Sequence, residues 1–164
     1  MTFTTWRRIS LGVGVKTGAD FIPLLESARF GIGKQAEQLL ERQTSVAAQE
    51  CVLTLVKVSV ERLALMSPTY SEICERAIHF GLHLCPTETG PQLRLQYLDQ
   101  PEGEWVTVGM EPIQGDGGFS YIFGVARKDT FDCGGLSTCL VNKVGKERWR
   151  PQDIFVFSKL EKGE

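Results

Sequence analysis

The clearest structural signal in this sequence is the stretch 50–61, ECVLTLVKVSVE, which is apolar on both sides of an extended chain. One side carries Val52, Val56, Val58 and Val60, and the opposite side carries Cys51, Leu53 and Leu55. A run of β-branched and aliphatic residues with two apolar sides is typical of a strand covered on both faces. We therefore expect a central strand here, with other strands and helices around it.

Two short helices are predicted before this strand, at 20–30 and at about 32–42. Apolar residues recur at helical spacing in both segments. If Asp20 is the N-cap, Pro23 falls in the first turn, where a missing amide hydrogen costs nothing.

A third helix is predicted after Ser67. Thr69 and Glu72 have the spacing of a capping box, and Gly81 is a typical end signal. The stripe between them consists of Tyr70, Ile73, Cys74, Ala77 and Ile78.

Strand patterns flank the helices. An alternating segment lies at 6–15, and further strand-like runs lie at 92–98, 104–110, 119–126, 136–141 and 153–158. Helices thus gather in the first half of the chain and strands in the second. This segregation predicts an α+β fold with two or three short helices in the N-terminal half, packed on a mostly antiparallel sheet. The length of 164 residues predicts a single domain, 1–164.

The composition argues against nucleic-acid binding and against membrane association. The chain has 18 basic and 20 acidic residues, a net charge of −2, which argues against nucleic acid as a partner. No apolar run approaches the ~20 residues that cross a bilayer, so we expect no membrane association. The five cysteines form no paired pattern and are expected to be reduced in a cytoplasmic protein, although Cys133 and Cys139 could form a bridge elsewhere.

One segment is unusual in its polar content. It reads LCPTETGPQLRLQY at 84–97, followed by DQP at 99–101 and GEW at 103–105. It resembles a bacterial protein family with the pattern L-C-P-x-E-x-G-P-Q-L-R-L-Q-Y-x-D-Q-P-x-G-E-W, a family with no assigned activity. The resemblance implies one bacterial cytosolic domain and carries no catalytic residue across.

The candidate binding site comes from the same segment. Read as a strand, 92–98 places Gln92, Arg94 and Gln96 on one face, where two amides flank a guanidinium. Such a row suits a carboxylate, a phosphate or a sugar edge. Glu88 and Glu111 lie near the two ends of the predicted hairpin and could orient Arg94. We therefore predict a cytosolic domain that binds a small polar or anionic ligand, unless the row is merely solvated or Arg94 is paired inside the structure.

Two other functions stay open. A hydrolase could use Glu88 or Glu111 as general base and Arg94 as electrostatic stabiliser. A protein-interaction module would need an exposed apolar patch on the C-terminal strands. The oligomeric state is left open.

No cofactor or metal is expected. His79 and His83 have zinc-binding spacing, but Gly81 should end the helix between them. The basic residues Lys143, Lys146, Arg148 and Arg150 surround Trp149, but Glu147 interrupts them and favours a solvated loop.

Overall fold

The structure, a computed structural model, describes residues 1–127, 134–141 and 148–161. The stretch 50–61 forms β3 (Cys51–Ser59), which is bonded along both edges. Its antiparallel neighbours are β1 (Arg7–Leu11) and β8 (Ile154–Ser158). The prediction of a central strand is therefore confirmed, but its coverage on both faces does not extend to the start of the strand, where Cys51 and Val52 are exposed.

The remaining described strands extend the same sheet. They are β2 (Gly31–Ile32), β4 (Trp105–Val108), β5 (Ile113–Gln114), β6 (Ser120–Ala126) and β7 (Gly135–Val141). The order is β1-β3-β8-β4-β6-β7-β2, and β5 pairs with β6. Only the β4–β8 and β2–β7 pairs of this sheet are parallel, so the prediction of a mostly antiparallel sheet is confirmed.

Three helices lie where the sequence predicts them. They are α1 (Phe21–Ser27), α2 (Lys34–Arg42) and α3 (Tyr70–His79). The Thr69 hydroxyl accepts the Glu72 amide at 3.2 Å, and the Glu72 carboxylate accepts the Thr69 amide at 2.9 Å, which confirms the capping box. Beyond α3, Gly81 has φ +88°, a left-handed conformation that glycine adopts without strain.

The segment 92–98 is a helix, and its prediction as a strand is wrong. The helix α4 (Thr89–Gln96) contains Gln92, Arg94 and Gln96. Pro91 lies in its first turn, where proline is tolerated. Leu93 and Leu95 alternate as strand residues do, whereas Glu88, Gln92 and Gln96 repeat every four residues, and the tertiary contacts of these polar residues select the helix. Two or three helices were expected in the first half of the chain, and α4 is a further one, placed between α3 and β4.

Helices cover both faces of the sheet. Thr107 of β4 pairs with both Phe155 and Gly124, so these residues share a face, and Phe123 points to the other. Gly90 of α4 packs on Phe123, and α1 and α2 lie on the same side as α4. On the Phe155 face, the ring of Tyr70 in α3 stacks at 6.0 Å. None of the described helices is long and apolar enough to cross a membrane.

Candidate functional site

The predicted amide row is a helix face that docks on a strand edge. Glu88, Gln92 and Gln96 are spaced by four residues and lie on one side of α4. The Gln96 amide pairs with both backbone groups of Ser10, accepting its N–H at 2.8 Å and donating to its carbonyl at 2.8 Å. Gln96 also donates to the Gln92 side chain at 2.9 Å. The amides are thus used inside the protein, at the outer edge of β1.

Glu88 continues this row into the interior. Its side chain is 1% exposed and accepts the amide hydrogens of Gly12 and Ala47, the latter at 2.8 Å. The Gln92 side chain donates to it at 2.9 Å. Hydrogen bonds of this kind satisfy a buried carboxylate without a counter-charge. Glu88 therefore joins three segments of chain.

Arg94 points to the other side of α4, away from Gln92 and Gln96. It is 1% exposed and donates to the carbonyls of Ala126 and Tyr97, at 2.8 Å and 2.7 Å, and to the Gln100 amide oxygen. Its guanidinium also lies 4.5 Å from the centre of the Phe30 ring. The prediction that Arg94 shares an open face with the two amides is therefore wrong, because a helix turns it by about 200° from each of them.

Glu111 lies apart from these residues. It is exposed and follows Met110, which bridges to Cys85. The structure therefore brings Glu88, Gln92 and Gln96 together, places Arg94 behind them, and leaves Glu111 outside the group.

A different concave site lies where the parallel strands β4 and β8 begin. We call it the tryptophan cleft. The residues that line it include Glu104, Trp105, Trp149, Arg150, Gln152 and Asp153. Its volume is about 620 Å³, within the range of small-molecule sites. It combines two indoles with several polar side chains.

Trp105 is held by its own strand and the next one. Its indole N–H donates to the Thr107 hydroxyl at 2.9 Å. A Cβ at Gly124 would lie 2.7 Å from Cε2 of the indole, so the ring packs directly on the β6 backbone. Only glycine at this position leaves room for Trp105 in its observed place.

Trp149 is anchored from the opposite side. Its ring meets Phe155 edge-on at 4.8 Å, and its backbone amide donates to the Pro68 carbonyl at 2.9 Å. The indole N–H is buried and has no hydrogen-bond partner among the described residues. The two indoles are thus fixed by separate elements, as a preorganised site requires.

The acidic residues of the cleft are already paired with basic ones. Glu104 bonds to the Lys57 ammonium at 2.7 Å and to the Tyr97 hydroxyl at 2.7 Å. Burial and this bond to Glu104 raise the pKa of Tyr97 well above its usual range, so the phenol remains a proton donor. Asp153 accepts the Arg150 backbone amide at 2.7 Å and pairs with its guanidinium at 3.1 Å.

Sequence reasoning did not identify this cleft. It treated Trp149 as part of a basic loop or as a core anchor, and Glu104 and Trp105 only as part of the family pattern. The cleft could have been predicted from the clustering of aromatic and acidic residues where two predicted strands begin. Cys133, Lys143 and Lys146, which also entered the predictions, lie outside the described residues.

Comparison with known proteins adds no assignment. No family model, no curated protein and no solved structure matches this chain. The function has to be argued from the geometry of the cleft.

Proposed function

We propose that this domain binds a small polar ligand, and that it does so in the tryptophan cleft. The sequence prediction was a small polar or anionic ligand. The proposal keeps the polar class and moves the site from the Gln92, Arg94 and Gln96 row to the start of β4 and β8. The bacterial, cytosolic setting implied by the family resemblance remains a prediction.

The observation that carries the proposal is the pairing of Trp105 and Trp149 in one cleft with Glu104 and Asp153. Ligand sites combine apolar and aromatic surface with a few placed polar groups. Here the aromatic surface is held by neighbouring elements, and the Asp153 carboxylate keeps free lone pairs beside its ion pair with Arg150.

The two alternative functions, a hydrolase and a protein-interaction module, are not equally affected by the structure. A hydrolase built on Glu88 or Glu111 with Arg94 lacks support, because the two buried residues have separate internal partners and Glu111 lies apart. The protein-interaction module remains a prediction, as do the oligomeric state and the expectation that nucleic acid is not a partner.

A thermal-shift screen tests the proposal with cellobiose, AMP, citrate and choline as probes. We expect at least one probe to raise the melting temperature as its concentration rises, since a ligand that binds the folded state stabilises it. Gln152 is exposed and lines the cleft, so Q152W should block binding while the fold is kept.

The matched control is Q49W, which adds the same side chain at an exposed position outside the cleft. It should respond to the probe like the parent protein. The proposal fails if no probe shifts the parent, or if a shift survives unchanged in Q152W.

A further inference from the structure

From the charges and rings of the cleft we infer that the ligand is a neutral carbohydrate rather than an anion, a cation or a nucleotide. This inference rests on the proposed function and names its ligand class. The charges, the aromatic surface and the hydrogen-bonding groups of the cleft all favour a neutral, hydroxyl-rich ligand.

The two acids that line the cleft each have a basic partner. Asp153 is 3.1 Å from Arg150, which also lines the cleft, and Glu104 is 2.7 Å from Lys57, which lies outside it. Neither carboxylate is therefore left without a counter-charge, and a charged ligand would find no unpaired partner among these residues. It would also lose hydration on entry, which is costly without a partner of opposite charge. A neutral ligand does not meet this penalty.

The indoles supply the apolar part of the site. A sugar ring has C–H groups on its faces and hydroxyls around its edge, so its face can pack on an aromatic ring while its edge remains hydrogen-bonded. Trp105 and Trp149 both line the cleft and are held from behind, by Gly124 and by Phe155. Rigid aromatic side chains contribute contact area at little cost in conformational entropy.

The polar groups match hydroxyls, which both donate and accept. The carboxylate of Asp153 accepts bonds from Arg150 alone among the described residues, so it still has lone pairs for a hydroxyl hydrogen. The Gln152 amide offers a donor and an acceptor, and the described chain gives it no internal partner. The buried indole N–H of Trp149 has no partner among the described residues, and a ligand hydroxyl that reached it would supply one.

Saturation-transfer NMR tests the inference with cellobiose, methyl β-glucoside and N-acetylglucosamine, alongside AMP, citrate and choline. We expect transfer to the ring C–H protons of at least one sugar. Replacing Trp105 by Phe should weaken binding less than W105L, for which about a tenfold loss is expected. The Q49A control should bind like the parent.

The outcomes separate the two proposals. Binding of AMP, citrate or choline that Q152W abolishes, with no sugar bound, would overturn the carbohydrate assignment and leave the cleft as the binding site. Sugar binding that W105L leaves unchanged would overturn the assignment as well. If no probe binds at all, both proposals fail together.

Discussion

Gln96 replaces a missing strand with a single side chain. β1 lies at the edge of the described sheet, and the backbone groups of Ser10 face outward, where none of the described strands pairs with them. A primary amide presents one donor and one acceptor, which is the pattern of a backbone neighbour. Edge strands need such protection because unpaired backbone groups invite pairing with other chains.

Removal of the Gln96 amide should therefore destabilise the folded protein. We expect Q96A to lower the free energy of unfolding by about 1–3 kcal/mol, because two partly buried backbone groups lose their partner. Urea unfolding followed by circular dichroism measures the change. Q49A, at an exposed site, should stay within about 0.5 kcal/mol of the parent. An equal effect of the two variants would contradict this role of Gln96.

The buried thiols predict a loss of stability at alkaline pH. Burial raises the pKa of Cys85 to about 12, whereas the unfolded thiol ionises near about 8.5. Below pH 8 both states hold the proton, so the thiol has no effect on the pH dependence. Above about pH 8.5 the unfolded state gains stability by losing the proton, and folding weakens by up to about 1.4 kcal/mol per pH unit until the folded pKa is reached.

The measurement compares unfolding at pH 8 and pH 10 in the parent and in C85A. The drop between the two pH values should be smaller in C85A by about 1–2 kcal/mol. Cys51 is exposed, so C51A should keep the drop of the parent. An unchanged drop in C85A would show that other groups govern the alkaline response.

Most polar residues of the unusual segment 84–97 attach the helix α4 to neighbouring parts of the chain. Its three polar residues at four-residue spacing bind the β1 edge and the loop at Ala47, and Arg94 ties its other side to the end of β6. Gln100 adds a bond from the following turn to the Val125 carbonyl at 3.0 Å. The element serves as a brace between the first and the sixth strand.

Close packing of this brace gives a prediction for Gly90. A Cβ there would lie 2.6 Å from Cβ of Phe123, too close for any real contact. Alanine favours helices by about 1 kcal/mol over glycine, but overpacking costs about 1–3 kcal/mol, so G90A should destabilise the protein. Thermal unfolding checks this. In G33A the nearest atom would be 3.6 Å away, so steric overlap should be absent. A stabilised G90A would contradict the packing argument.

Prediction from sequence succeeded where local signals and burial agree. β3, with two apolar sides, and α3, with its capping box, were both found because the local pattern also matches the tertiary contacts. The strand prediction for 92–98 was wrong because the leucines of this segment alternate while its polar residues repeat every four positions. Only long-range bonds to Ser10 and Gly12 decide between the two periods. The cleft was missed because Trp105 and Trp149 are 44 positions apart and are brought together by the parallel pairing of β4 with β8.

The whole sheet depends on its last strand. β8 lies between β3 and β4, so it joins the β1–β3 pair to the strands β4, β6 and β7. Phe155, Val156 and Phe157 are each fully buried. Among the described strands, no other pairing joins the two parts of the sheet, and folding should remain incomplete until this segment is present.

A truncation after Arg150 tests this dependence. The shortened chain should lack a cooperative unfolding transition by both circular dichroism and tryptophan fluorescence, since a buried strand and three core residues are lost. A chain ending at Ser158 keeps β8 and, among the described residues, loses the contacts of 159–161, including the Glu161 ion pair with Arg8. Because an exposed ion pair contributes about 0–1 kcal/mol, this second chain should still unfold cooperatively. Cooperative unfolding of the shorter chain would show that the β1–β3 and β4–β7 parts hold together through the helices instead of through β8.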